Sequence, residues 1–256
     1  MPVPRFHAFM KTTEAHPGWS ERTVQLIGPE AFERLQKANV LVVGMGGVGA
    51  MAAEMICRSG VGKMTIIDAD TIQPSNINRQ IPATHSTLGE EKCLVMGRRL
   101  KEINPELDLT IIDEFIREER IPEILEEPFD YVVDAIDSLS PKIYLIFQTL
   151  KKGYKLVASM GSGGKVDPSQ ISVTDFGKTY NCRLAYILRK KLRKMGVEGG
   201  FPVVFSTEQV SKELIIPVED EPNKKSTVGT LSYIPAIFGC TLASVVVSDL
   251  AGLSPQ

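Results

Sequence analysis

Residues 40–49 read Val-Leu-Val-Val-Gly-Met-Gly-Gly-Val-Gly, and this stretch decides the fold. Its four leading apolar residues, mostly β-branched, predict a buried strand. Gly44, Gly46 and Gly49 follow with the G-x-G-x-x-G spacing, and residues 48–58, rich in Ala and Met, predict a helix. A glycine turn between a strand and a helix lets the backbone approach a phosphate, to which the helix N-terminus offers free N–H groups. The stretch therefore predicts a nucleotide-binding turn.

Strand and helix patterns alternate along the rest of the chain. We predict helices at 88–103, from 140 onward and at 183–195, and strands at 64–67, 109–112, 131–133, 156–159, 171–174 and 203–205. Such alternation predicts an α/β, Rossmann-like, doubly wound and mostly parallel sheet with a C-terminal extension. Because no Pro/Gly/Ser linker divides the chain, we expect one domain over 1–256, with a nucleotide-binding core at 20–165 and the extension at 166–256.

The composition limits the class of protein. A formal net charge of -2 argues against a general nucleic-acid coat protein. The four cysteines, Cys57, Cys93, Cys182 and Cys240, include no CxxC pair, so neither a zinc knot nor a disulfide framework is indicated. Reduced thiols and the lack of an unbroken apolar stretch in residues 1–20 favour a cytoplasmic protein without a signal peptide.

Residues 234–250 form the most apolar segment. They number 17 and include Asp249 near the end, whereas a bilayer crossing needs about 20 apolar residues. We expect a core or interface helix here, and peripheral or C-terminal membrane attachment is the alternative.

The polar residues after the second predicted strand bear on the nucleotide. Asp68 stands 24 residues after Gly44 at that strand's end, where a carboxylate binds a ribose. On these features alone, an NAD-dependent oxidoreductase is favoured. A dehydrogenase normally continues into a helix, however, and here a polar loop, Ser-Asn-Ile-Asn-Arg-Gln at 75–80, follows. Arg79 and the amides in this loop suit a triphosphate better.

Two further charged positions support ATP with Mg²⁺. Lys92 lies on the next predicted helix, and Asp137 ends the Asp-Ala-Ile-Asp run after the fourth strand. Carboxylates beyond a strand end suit Mg²⁺, which binds one or two of them together with phosphate oxygens. Taken singly, Arg79 could be a surface ion pair, Lys92 a solvated helix residue and Asp137 a helix N-cap. All of them follow strands of one sheet at its carboxyl edge, which favours a single ATP site.

These motifs resemble those of the ubiquitin-activating-enzyme-like adenylating superfamily, of ThiF/MoeB type. The resemblance implies an ATP site at Gly44, Gly46, Gly47, Gly49, Asp68, Asp70, Asn76, Asn78, Arg79, Gln80, Lys92 and Asp137. It also implies that Asp137 holds Mg²⁺ and that Arg79, Lys92 and Asp137 are catalytic. Arg22 falls where this family places an arginine that reaches the partner's ATP site, so a homodimer and a catalytic role for Arg22 are implied as well.

The second half resembles one branch of that superfamily, the tRNA threonylcarbamoyladenosine dehydratases. The resembling stretches are 159–164, 167–168, 175–179, 188–193, 202–208 and 233–235. This branch implies ATP-dependent cyclisation of N6-threonylcarbamoyladenosine at position 37 of tRNA through carboxylate adenylation, with the extension serving tRNA binding and dimerisation. The chain departs from the branch at Tyr180-Asn181-Cys182-Arg183, where an Asp-Pro pair is usual.

Three further expectations concern the second half. Six basic residues without an acidic neighbour are candidate tRNA contacts, with a merely solvated basic helix as the alternative: Arg183, Arg189, Lys190, Lys191, Arg193 and Lys194. Cys182 is a candidate nucleophile, although an ordinary half-exposed cysteine is favoured. A monovalent cation, K⁺ or Na⁺, is a candidate ligand near 159–164, and sulfur-transfer proteins are candidate partners.

Three rival functions are weaker. An adenylyltransferase that activates the C-terminal glycine of a ubiquitin-like sulfur carrier commonly carries zinc-binding CxxC pairs, which this chain lacks. The Asn/Arg loop counts against a nicotinamide-dependent oxidoreductase. The complete set of phosphate-site residues counts against a non-catalytic tRNA-binding scaffold.

Overall fold

The computed structural model describes residues 17–211, 213, 215–217 and 226–253. Its strands there are β1 (Asn39–Val43), β2 (Lys63–Ile67), β3 (Asp108–Ile112), β4 (Tyr131–Asp134), β5 (Lys155–Ser159), β6 (Ile171–Asp175), β7 (Pro202–Ser206), β8 (Ile215–Pro217) and β9 (Ser226–Val228). Seven of these form one sheet in the order β3-β2-β1-β4-β5-β7-β6. Neighbouring strands are parallel except β6, which runs antiparallel to β7, and β8 and β9 pair separately.

Helices cover both faces of the sheet. They are α1 (Glu21–Ile27), α2 (Pro29–Lys37), α3 (Gly49–Arg58), α4 (Lys92–Ile103), α5 (Arg120–Ile124), α6 (Leu139–Lys152), α7 (Arg183–Leu192) and α8 (Tyr233–Ala251). The core on one face takes buried side chains from α2, α3, α4 and α8, and the core on the other face takes them from α5, α6 and α7. The predicted α/β, doubly wound and mostly parallel fold is confirmed.

The strand order creates a crevice above β1. The chain leaves β1 for β2 on one side, and β4 later pairs with the other side of β1. The connections on the two sides of β1 therefore diverge at its carboxyl end, and ligands of doubly wound sheets bind at such a switch point. The backbone amide of Gly44 donates to Ile67 O, and that of Ala135 donates to Val43 O, so both walls of the crevice are tied to the sheet.

Two predicted helix boundaries were wrong. Helix α4 begins at Lys92 and not at residue 88, because Gly89 has φ +84° and the preceding segment is bound up in turns, with Thr87 Oγ1 donating to Pro82 O. The basic helix ends at Leu192, and a 3₁₀ turn, Arg193–Met195, follows it before Gly196 at φ +82°. A left-handed glycine is a common way to end a helix.

Helix α8 packs one face into the core. It has 19 residues and a mean hydropathy of 1.8, so by length and composition alone it could cross a membrane. Ile234, Phe238, Leu242 and Val246, spaced four residues apart, are nevertheless fully buried. A Cβ added at Gly239 would lie only 2.5 Å from Val48 O, so the helix backbone rests directly on the start of α3. The prediction of a core helix holds for this face.

A buried ion pair links β4 to α6. Lys142 Nζ lies 2.8 Å from Asp134 Oδ2, and both side chains are 0% exposed. Burial raises the pKa of the Asp134 carboxyl, and the Lys142 charge opposes this. An ion pair buried so completely is costly to break, because the remaining charge has no water to solvate it.

We predict that Lys142→Met lowers the free energy of unfolding by about 3–5 kcal/mol, measured by urea denaturation, because Asp134 is left without its cation. Lys155→Met is the matched control, since it breaks an exposed pair with Asp249 and should cost less than about 1 kcal/mol. Adding Asp134→Asn to Lys142→Met should recover part of the loss. Equal losses in the free energy of unfolding for Lys142→Met and Lys155→Met would contradict the special role of the buried ion pair.

Candidate functional site

The glycine turn is shaped by contacts that leave no room for side chains. A Cβ at Gly49 would lie 1.7 Å from Gly44 O and 2.9 Å from Ala135 Cβ. Gly44 has φ +94°, and its Cβ would lie 2.8 Å from Ala135 O. At Gly46, by contrast, the nearest atom to a Cβ is Gln80 Nε2 at 3.9 Å. Gly44 and Gly49 thus hold the turn against β4, while Gly46 faces open space in the crevice.

Asp68 is fixed against this turn. Its Oδ2 accepts the backbone N–H of Met45 at 2.5 Å, and its Oδ1 accepts that of Asp70 at 2.8 Å. Burial raises the pKa of the Asp68 carboxyl, and the charge of Lys92 is the main opposing influence. The carboxylate predicted to bind a ribose therefore has a defined orientation at the end of β2.

Lys92 is buried, and the interpretation of it as a solvated helix residue is wrong. Its side chain is 6% exposed, and its Nζ lies 2.7 Å from Asp70 Oδ2. Asp70 itself is 69% exposed, so an anionic ligand could take its place beside the ammonium group. Lys92 supplies a desolvated positive charge at the edge of the crevice, where it is worth more than on the surface.

Arg79 lies directly beside the glycine turn. A Cβ at Gly47 would meet Arg79 O at 3.0 Å and Arg79 Cγ at 3.5 Å. One guanidinium nitrogen donates to Ser75 O and to Asn78 Oδ1, both at 2.8 Å. Burial lowers the pKa of the Arg79 guanidinium, and the charge of Asp137 opposes this. The structure gives Arg79 no ion pair with any described residue, which rules against the surface-ion-pair interpretation.

The amides of the same loop divide into two kinds. Asn76 is buried, and its Oδ1 accepts the backbone N–H of Gln73 at 3.0 Å, so it shapes the loop. Asn78 is exposed and donates to Thr230 O at 3.2 Å. Gln80 is 7% exposed, and its Oε1 has no hydrogen-bond donor among the described residues. A buried acceptor left unpaired is costly, so Gln80 beside Gly46 is suited to a ligand or water that donates a hydrogen bond to its Oε1.

Of the two carboxylates at the end of β4 and just beyond it, only one is exposed to solvent. Asp134 is buried and paired with Lys142, whereas Asp137 is exposed. The N-cap of α6 is Ser138, so the interpretation of Asp137 as an N-cap is wrong. The described residues contain no group of three His, Cys, Asp or Glu side chains that could hold a metal ion. Asp137 thus fits Mg²⁺ only as one carboxylate that shares the ion with phosphate oxygens.

The sequence did not reveal that the segment before α8 lines the crevice. Thr230 O accepts a hydrogen bond from Asn78, 152 residues earlier, and Pro235 Cβ would lie 3.0 Å from a Cβ at Gly47. Nor did it reveal Lys142, whose one signal was a lysine near the start of an otherwise apolar helix. The first contact joins residues distant in the chain, and the second depends on how α6 packs on β4, so no local pattern encodes either.

Other predicted site residues lie elsewhere. Arg22 is exposed on α1 and forms no hydrogen bond or ion pair within the described part of the chain. Cys182 is 9% exposed, not half-exposed as expected, and its Sγ accepts the backbone N–H of Ala185 at 3.5 Å as the N-cap of α7. Arg189 donates to Thr179 Oγ1 and so turns inward, while Arg183, Lys190, Lys191, Arg193 and Lys194 are exposed.

Comparison with known proteins matches both halves of the chain. A tRNA threonylcarbamoyladenosine dehydratase of Bacillus subtilis is 36% identical over 231 residues, or 88% of this chain and 91% of that protein. Crystal structures of the E. coli tRNA N6-threonylcarbamoyladenosine dehydratase TcdA superpose at 35% identity. The complex with ATP has a TM-score of 0.83 and covers 93% of this chain and 96% of its own, and the complex with AMP has a TM-score of 0.84 and covers 94% and 98%.

The match to an enzyme that acts on a carrier protein is shorter. A sulfur carrier protein adenylyltransferase of Thermus thermophilus is 38% identical over 120 residues, which cover 47% of this chain and 44% of that protein. The family model that matches this sequence, described as the ThiF family, spans residues 20–256. The glycine turn, the polar loop and the strand order thus lie within one continuous match, and the chain belongs to the ThiF family.

Proposed function

We propose that the protein is an ATP-dependent tRNA threonylcarbamoyladenosine dehydratase. It adenylates the carboxylate of N6-threonylcarbamoyladenosine in tRNA and then cyclises the side chain of that nucleoside. The observation that carries the proposal is the convergence of Asp68, Arg79, Lys92 and Asp137 around one glycine turn, in a chain whose similarity to such dehydratases extends over both halves. This activity places the protein in the cytoplasm, where we expect its tRNA substrate.

The crevice offers contacts for the ribose and for the phosphates of ATP. Asp68 is oriented to accept hydrogen bonds from a ribose, as carboxylates at this position do. The open face of Gly46 is the proposed approach for the phosphates, and Gln80 Nε2, the atom nearest to that face, can donate to a phosphate oxygen. Arg79 and Lys92 then offset the negative charge of the departing pyrophosphate, which grows in the transition state. Asp70 releases Lys92 as the phosphates arrive.

Mg²⁺ would be held by Asp137 together with phosphate oxygens, and it would supply positive charge to the pyrophosphate leaving group. A closed protein-only metal cage is unnecessary, because Mg²⁺ keeps much of its shell as water and phosphate. A monovalent cation near 159–164 and sulfur-transfer partners stay predictions.

The reaction balances in two steps. A carboxylate oxygen of the substrate attacks the α-phosphorus of ATP, and pyrophosphate leaves. A nitrogen or oxygen of the carbamoyl group in the same nucleoside then attacks the activated carbonyl carbon, an N–H proton of that group is lost to solvent, and AMP leaves with the carboxylate oxygen. The second step is intramolecular, which favours it strongly. It needs no protein nucleophile, and the buried, N-capping Cys182 fits a structural role.

The proposed function is tested by mass analysis of the modified nucleoside. Incubation of tRNA carrying N6-threonylcarbamoyladenosine with the protein, ATP and Mg²⁺ should lighten the nucleoside by one water and release AMP and pyrophosphate. The rival function predicts a different result, since an unchanged nucleoside together with ATP–pyrophosphate exchange on a ubiquitin-like carrier would establish a carrier adenylyltransferase.

Gly46→Ala and Gly49→Ala should separate ATP binding from folding. The methyl group of Gly46→Ala enters open space, so it should shift the free energy of unfolding by less than about 1 kcal/mol. It stands where phosphates approach, however, and should weaken ATP binding about tenfold or more, or ~1.4 kcal/mol. Gly49→Ala collides with the backbone and should cost more than about 2 kcal/mol of stability. Calorimetric ATP titration measures the affinity, and urea denaturation measures the free energy of unfolding. Unchanged ATP affinity in Gly46→Ala would contradict the proposed phosphate site.

We also propose that Arg22 completes the ATP site of a second copy of the chain. Helix α1, which carries it, buries none of its side chains, and Leu26 on this helix is 85% exposed. A helix that packs so little within its own chain is suited to an interface. The proposal makes the enzyme a homodimer with two shared sites.

A mixing experiment tests the shared site. Arg22→Ala and Arg79→Ala should each abolish most dehydration, and mixing the two variants after subunit exchange should restore part of it. In the mixed dimer one site receives both native arginines. No recovery, with subunit exchange shown by mass spectrometry, would place Arg22 outside the partner's site.

The exposed basic side chains of α7 and of the 3₁₀ turn after it are proposed to bind the tRNA backbone. Lys190→Ala/Lys194→Ala should weaken tRNA binding and lower the slope of log K against log [salt] by about one to two, since each phosphate contact contributes roughly 0.7–0.9. Lys151→Ala/Lys152→Ala is the matched control, because these exposed lysines end α6, outside the basic stretch at 183–194. Equal salt slopes in the two double variants would show that α7 is only a solvated helix.

A further inference from the structure

Tyr180, in the connection that leads into α7, is an exposed aromatic ring held in a fixed position. Its side chain is 54% exposed. The ring packs edge-on against Phe205, with centroids 5.5 Å apart and an interplanar angle of 74°. Phe205 is 2% exposed and belongs to β7, which lies between β5 and β6 in the sheet. An exposed tyrosine alone is ordinary, so its neighbours decide what it means.

The residues directly before and after Tyr180 in the sequence are both held by hydrogen bonds. Thr179 is buried, and its hydroxyl donates to Phe176 O at 2.9 Å and accepts from Arg189. Asn181 has φ +52° and is the one described non-glycine residue at positive φ. Its Nδ2 donates to Thr207 O at 2.9 Å. A strained conformation persists only where surrounding contacts hold it, so the backbone presents Tyr180 in a single orientation.

Tyr180 lies at the same edge of the sheet as the adenylation site. Phe205 and Ser206 end β7, which pairs in parallel with β5, and β5 pairs in parallel with β4. Strands are about 4.8 Å apart, so two spacings of about 10 Å in total separate β7 from the strand that leads to Asp137. A substrate whose reactive end sits over β4 would extend toward Tyr180.

The sequence around Tyr180 is basic. No acidic residue occurs between positions 178 and 195. Lys178 and Arg183, which precede and follow Tyr180 in the sequence, are exposed, and neither forms an ion pair with a described residue. An aromatic face between positive side chains is the usual platform for unstacked bases of single-stranded RNA, with the cations binding phosphates.

We propose that Tyr180 is a stacking platform for a base of the single-stranded RNA loop that contains the modified adenosine. The proposal rests on the proposed function, because that function supplies the RNA. Tyr180 thereby acts as a substrate-specificity residue: it favours an unpaired loop over a duplex, whose bases are already stacked. The ring is fixed before the RNA arrives, so little conformational entropy is lost on binding.

The test compares Tyr180→Phe, Tyr180→Leu and Tyr186→Leu. The probe is a stem–loop RNA carrying N6-threonylcarbamoyladenosine in its loop, and its Kd and that of ATP are measured for each variant. Tyr180→Leu should weaken RNA binding roughly 5- to 100-fold, the range for one lost base stack. Tyr180→Phe keeps the aromatic face and should stay within about twofold of the native protein. ATP affinity should be unchanged in all three.

Tyr186→Leu is the matched control. Tyr186 is 61% exposed on α7 in the same cationic surroundings, but no described aromatic ring packs against it, so its loss should have a smaller effect than that of Tyr180. A native protein that neither binds nor dehydrates the RNA would overturn the proposed function and this inference together. A native protein that does both, with equal RNA affinity in Tyr180→Leu, would overturn the stacking role alone.

Discussion

The contact between the two ends of the glycine turn is the constraint on which the rest of the site depends. Gly49 approaches the Gly44 carbonyl oxygen and Ala135 so closely that no side chain fits between them. This contact fixes where α3 begins relative to β1 and β4. On the other side, Gly239 of α8 rests on Val48 O. The N-terminus of α3, which faces the crevice, is therefore fixed by its contacts with the sheet and with α8.

The charges around the turn follow from that geometry. Parallel strands end at one edge of the sheet, so the residues after β1, β2 and β4 meet there although they are far apart in the sequence. Burial makes Lys92 and Arg79 stronger partners for phosphates than surface cations would be. The Asp68 carboxylate, which we propose binds the ribose, is held by the backbone N–H of Met45. Asp70 accepts a hydrogen bond from Lys92, and a phosphate can compete for that hydrogen bond. The second half adds β7 and the start of α7 to the same edge, which brings Tyr180 to the edge where we propose that ATP binds.

Local patterns predicted the fold and singled out most residues of the proposed ATP site, because the strand, the glycine turn and the polar loop are contiguous in sequence. They placed Asp68, Arg79, Lys92 and Asp137 at one edge through the topology of parallel strands alone. They could not predict contacts that only the tertiary fold creates, such as Thr230 against Asn78 or Lys142 against Asp134. The burial of Cys182 and the fixed Tyr180 ring depend on how α7 packs on the sheet. The predicted start of α4 was wrong because turns held by side-chain hydroxyl hydrogen bonds interrupt a stretch whose sequence predicts a helix.

The central claim is that the substrate carboxylate is transferred to the α-phosphate of ATP in this crevice. The most direct measurement uses tRNA whose N6-threonylcarbamoyladenosine carboxylate carries ¹⁸O, followed by mass analysis of the nucleotide released during dehydration. Carboxylate adenylation predicts that one ¹⁸O atom leaves on AMP, with pyrophosphate unlabelled. Label in inorganic phosphate with release of ADP, or in water alone, would contradict the account.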